Sequence, residues 1–99
     1  DLSEKINKET VNLVLDYTYN DEKDPNRYYY RSDHYNFAMN NIPVIFYFNG
    51  THEDYHKPTD TEDKINYDAL SKRTNLIFYT AWEIANRKER IAVDDKKLK

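Results

Sequence analysis

No cysteine occurs anywhere in this chain. A disulfide scaffold and a thiolate metal centre are thereby excluded. The cytosol and an export route that uses no disulfides both stay open. One glycine and three prolines are too few for linker-like low complexity to dominate. No apolar run reaches membrane-spanning length, and the first residues carry no signal-peptide pattern. Positive charge is not in excess either. The net charge is −3, the pI is about 5.6, and no basic stripe precedes the last few residues. That balance argues against a nucleic-acid surface.

What is present is aromatic. The apolar fraction is low at 38 % and the charged fraction high at 33 %, yet ten Tyr, four Phe and one Trp supply large buryable surfaces. This is a folding composition. Ninety-nine residues make one domain at most, expected to bury roughly 60–65 % of its unfolded surface. Asp1 does not read as a natural start, and the chain opens inside a helical pattern. A fragment, mature, cut or engineered, is therefore expected.

Residues 1–9 read as the tail of a helix, with Leu2 and Ile6 on one face. In residues 11–19, Val11, Leu13, Leu15, Tyr17 and Tyr19 alternate with polar positions, and Val14 breaks the pattern. A strand with one better-buried face is expected there. Asn20-Asp21 and Asp24-Pro25-Asn26 are turn chemistry. Tyr28, Tyr29 and Tyr30 form an aromatic-lined loop or short extended segment, lining a pocket or covering a sheet edge. Ser32 is placed to cap a short helix over 33–40, which Asn40-Asn41 ends. The continuous apolar run 42–48 predicts a strand buried on both faces, with Pro43 near its start. Asn49-Gly50 stops it; with Thr51 it also spells a glycosylation sequon, more simply read as a turn. Asn66 caps a long helix to about residue 87. Leu70, Thr74, Ile77, Ala81 and Ile84 form its apolar stripe, widened by Phe78, Trp82 and Ala85. The charged stretch 91–99 is expected to fray. The order implies an α/β fold of about two strands with flanking helices, the last helix long. Two strands do not make a stable sheet, so partners outside the chain are expected.

The chemistry gathers in residues 52–61. His52-Glu53-Asp54-Tyr55-His56 spells H-E-x-x-H, the zincin signature. That motif needs a helix, so that two His at i and i+4 share one metal. A strand and an Asn-Gly turn before it, and Pro58 after it, deny the helix. The zincin reading stays as a weak alternative.

Ser32-Asp33-His34, the run 42–48, Asp54-Tyr55-His56-Lys57-Pro58-Thr59-Asp60-Thr61 and Asp63-Lys64-Ile65-Asn66 together resemble the C-terminal part of di-zinc aminopeptidases. This is the co-catalytic zinc exopeptidase family related to glutaminyl cyclases. The resemblance covers about 15–90, and its joint spacing is more specific than any one piece. It implies a catalytic domain with a mixed sheet between helices, two zinc ions per complete enzyme and a Glu base. It also implies that His56 is the last metal ligand. Neutral imidazole suits Zn²⁺. Asp60 is either a carboxylate orienting that site or a cap of the turn with Thr61. Tyr55 and His52 are site-lining candidates whose plainer reading is ordinary loop. Asp33 and His34 match a segment near the family's cleft. Asp33 reads equally well as an acid favoured by a helix N-terminus. Asn41 stands where relatives often carry Gly.

The family's other ligands, a His, two Asp and two Glu including the base, find no counterpart here. The chain thus offers at most one partial zinc site. The expectation is 1–99 as one partial domain, the C-terminal piece of a zinc aminopeptidase that removes N-terminal residues from peptides, inactive alone. The alternative is a non-catalytic interaction domain on the same scaffold. The expected partners are peptide substrate for the complete enzyme, and either the missing N-terminal part of the domain or a second copy. A secreted or periplasmic location follows from the resemblance only.

Overall fold

The computed structural model describes residues 1–93. Helix α1 spans Leu2–Glu9, α2 spans His34–Ala38 and α3 spans Tyr67–Asn86. Two single 3₁₀ turns lie at Tyr28–Tyr30 and Glu62–Lys64. Each long helix starts as its sequence dictates. Asp1 accepts a hydrogen bond from the Glu4 N–H, and Asn66 Oδ1 accepts from the Ala69 N–H at 3.1 Å. The turn that follows the short α2 closes at Asn41, whose φ of 59° is the left-handed conformation Asn tolerates.

The α/β expectation is corrected: among the described residues there is no strand. The physical reason differs for the two segments. Residues 12–17 have no regular structure, entered through Asn12 at φ 57°, yet burial alternates as a pleat would: Val11, Leu13 and Leu15 are half-buried, Asn12 and Asp16 exposed, Val14 97 % exposed. The partner of this segment is a side chain. Asn7, 1 % exposed, gives its Nδ2–H to the Leu13 carbonyl at 2.6 Å and takes the Leu13 N–H on Oδ1 at 2.8 Å. Both main-chain groups that would have started a ladder are thereby occupied. Residues 42–48 touch other parts of the chain through side chains only, Tyr47 on Ser3, Phe46 on His34 and Phe48 on Tyr28. Among the described residues no backbone group of 43–51 bonds to another backbone group. The run is not buried on both faces either, because Ile45 and Phe46 stand exposed. A β-favouring sequence without a backbone neighbour makes no ladder.

The core lies where α1 crosses α3. Ile6 and Leu76 are its buried apolar residues, with Ser3, Asn7 and Thr80 buried beside them. Small polar residues let the helices approach. Ser3 Oγ lies 3.5 Å from Thr80 Oγ1 and 2.9 Å from Tyr47 Oη. The face of α3 used here is not its apolar stripe. Leu70, Ile77, Phe78, Trp82 and Ile84 point to solvent, between roughly 60° and 180° away from the Leu76–Thr80 face around a helix of 3.6 residues per turn.

A second cluster is aromatic. Tyr28 packs against Tyr19 (4.9 Å between centroids) and Phe48 (4.6 Å). Asp24 is buried beneath it, its Oδ1 accepting from the N–H of Asn26 at 3.0 Å. The tyrosine run is thus a tight turn, opened by Arg27 at φ 57°. Of the stretch 91–99 expected to fray, residues 94–99 lie outside the described residues.

Candidate functional site

The chain leaves the apolar run at Asn49-Gly50 and enters a series of tight turns. The Tyr55 N–H donates to the His52 carbonyl at 3.1 Å and the Lys57 N–H to the Asp54 carbonyl at 2.9 Å. His56 takes φ 58°. Histidine is among the residues enriched in this left-handed region. The turns end any helical geometry, so His52 and His56 do not share a helix face, and the zincin arrangement is absent.

Lysine and threonine brace these turns. Lys64 Nζ lies 3.1 Å from Asp54 Oδ2 and donates to the Thr59 carbonyl at 2.8 Å. The Thr59 hydroxyl foremost, then Lys64, hold the Asp54 carboxyl below its ordinary value. Asp54 is therefore a structural carboxylate facing the loop's own cation.

A hollow of about 490 Å³ opens beside the turns, lined among others by Phe46, Phe48, His52, Tyr55, His56 and Asp60. His56 stacks on Tyr55 at 3.9 Å with ring planes 16° apart. Its two nitrogens have no hydrogen-bond partner among the described residues. His52 is differently employed. Its Nδ1 accepts from the Asp54 N–H at 3.2 Å, which puts the proton of the neutral ring on Nε2, 3.9 Å from Asp60 Oδ2. Asp60 therefore faces His52 within the hollow that His56 also lines.

His34 reaches this region through rings. It stacks on Phe46 at 4.6 Å with planes 6° apart, and Phe46 stacks on Phe48 at 5.5 Å. Its Nδ1 is buried without a partner among the described residues. Asp33 is exposed at the start of α2 and makes no capping bond. Four of the six candidates from the sequence, His52, Tyr55, His56 and Asp60, thus line one hollow, while His34 touches its wall only through Phe46 and Asp33 stands outside it. Phe46 and Phe48 were not singled out as lining residues. Their i, i+2 spacing, which puts both on one side of an extended segment, is the signal that carries them.

Neutral imidazole is a good zinc donor, and His56 is free to act as one. A zinc site needs more. Among the described residues no three His, Asp or Glu side chains come together in a way that could hold a metal ion. The described residues do not by themselves fit a zinc centre.

A family model described as peptidase family M28 matches residues 1–81. The match takes in α1, the hollow and most of α3. No curated protein and no solved structure matches the chain.

Proposed function

The chain belongs to peptidase family M28, and from that premise we propose that it is the C-terminal part of a zinc-dependent aminopeptidase. In this reading the complete enzyme removes N-terminal residues from peptides, and His56 is one of its metal ligands. The observation that carries the reading is the coincidence of the family match with an unengaged His56 imidazole at an open hollow. Peptidases of this family are generally zinc-dependent. When bound, such metal polarises a substrate carbonyl and activates water. The tasks left to this chain's own residues are narrower. His56 presents its imidazole, Tyr55 limits the tilt of that ring by stacking on it, and the His52–Asp60 pair places a charge at the rim. Phe46 and Phe48 offer apolar wall to a substrate side chain. In this reading the remaining ligands and the general base come from polypeptide outside this sequence. The resemblance also supports an exported or periplasmic parent.

The test has two arms. The isolated chain, loaded with zinc, is expected to leave aminoacyl-p-nitroanilides intact. Hydrolysis at enzyme-like rates that disappears in His56→Ala would overturn the partial-site reading. In the parent protein, His56→Ala is expected to lower zinc content and reduce kcat by at least two orders of magnitude, on the order expected when a metal ligand is removed. Unchanged metal content there removes His56 from the ligand set.

A further inference from the structure

The single glycine of the chain follows an asparagine. Asn49 is exposed and Gly50 adopts φ +95°. A Cβ placed on Gly50 would meet nothing within 4 Å, so the space around this backbone is open. Among the described residues, neither the Asn49 amide nor the Gly50 N–H has a hydrogen-bond partner. Both residues line the hollow that holds His52, His56 and Asp60. The other asparagines differ. None precedes a glycine. Asn7, Asn26, Asn40, Asn66 and Asn86 also have their amides tied up in hydrogen bonds.

We infer that Asn49-Gly50 is a self-modification site, at which Asn49 is converted to aspartate and isoaspartate. The Gly50 nitrogen, giving up its proton to base, forms a bond to Asn49 Cγ. The Cγ–Nδ2 bond breaks, and the amide nitrogen leaves as ammonia after regaining a proton. A five-membered cyclic imide remains, and water opens it at either carbonyl. Opening at Cγ yields aspartate. Opening at the main-chain carbonyl yields isoaspartate, with the backbone now routed through Cβ. The balance is asparagine plus water giving acid plus ammonia, with no redox change. Glycine favours the attack because no side chain crowds the nitrogen and its backbone reaches conformations closed to other residues.

The consequence lies in the hollow. Asp60 is the one acidic residue among those lining it. Either product adds a second negative charge beside His52 and His56. Isoaspartate also lengthens by one carbon the connection between Phe48 and His52. The hollow thus changes its charge and its shape with time and alkalinity, with no enzyme required.

The experiment ages the purified chain in mildly alkaline buffer and follows it by peptide mapping with isoaspartate detection. Asn49→Gln, Gly50→Ala and a urea-denatured sample run beside it. The expected result is replacement of NH₂ by OH at residue 49, faster as pH rises and absent in Asn49→Gln. Gly50→Ala is expected to slow it on the order of tenfold. The folded chain is expected to convert as fast as the denatured sample. Asn49 persisting in the folded chain while converting in urea overturns the inference. So does conversion spread evenly over the other asparagines.

Discussion

Asn7 does the work of a neighbouring strand for one residue. Its amide satisfies both main-chain groups of Leu13 from a position 1 % exposed. Asn7→Ala leaves a donor and an acceptor without partners and is expected to cost about 1–3 kcal/mol in denaturant unfolding. Asn7→Leu is expected to cost as much despite its greater apolar volume, because the lost bonds are the same. Nothing in the sequence marks this pairing, since a side chain reaching six residues ahead follows no periodicity. Local chemistry was legible: the Asn66 cap and the left-handed Asn41 are decided by neighbours within four residues. Asp54 gives a pH prediction at this same scale. Its folded-state pKa lies below the ordinary 3.8, so its contribution is complete above that value and is lost as pH falls through the lowered one. Amide exchange in residues 52–65 is therefore expected to accelerate only on acidification below that range. In Asp54→Asn the same loop is expected to exchange faster already at neutral pH, with a flatter acid response.

Helix α3 shows what an apolar pattern can and cannot say. Its length and cap follow from the sequence, and so does its apolar stripe. Which face the rest of this chain covers does not. Leu76 and Thr80 pack on α1, while Trp82, 61 % exposed, lies on the unpaired stripe with Phe78. Leu76→Ala is expected to cost about 2–3 kcal/mol, because Leu76 is 3 % exposed in a very small core. Phe78→Ser with Trp82→Ser is expected to change the unfolding free energy by no more than about 0.5 kcal/mol. The same pair is expected to reduce light-scattering evidence of self-association, and unchanged association would place the contact elsewhere. The run 42–48 teaches the same lesson in another element. Its composition favours extended backbone, and extended backbone becomes a strand only when another segment lies alongside it. Sequence reports the preference and not the neighbour.

At the scale of the whole molecule the chain is loose. It exposes 8530 Å², where a compact monomer of its mass exposes about 6,000 Å². Its radius of gyration is 15.2 Å, against about 13 Å for a compact chain of this length. Against an unfolded surface of about 17,000 Å² it buries only half. The excess of roughly 2,500 Å² on one chain is well above the ~800 Å² that each partner hides in a standard interface. The isolated chain is therefore expected to self-associate in solution, and a clean monomer by light scattering would count against it. The candidate site was legible further than the fold. The residues around His56 lie close together in sequence, so turn chemistry alone brings them to one hollow. A sheet or a complete metal centre depends on segments far apart, which the described residues do not bring together.

His56 carries one further implication. An L-amino acid at φ 58° stores strain of order 1 kcal/mol that glycine would not. Selection for foldability alone would favour replacing His56 with glycine. In the reading proposed above, a histidine held there sets robustness against usefulness at a single position, with the imidazole as what the loss in stability maintains.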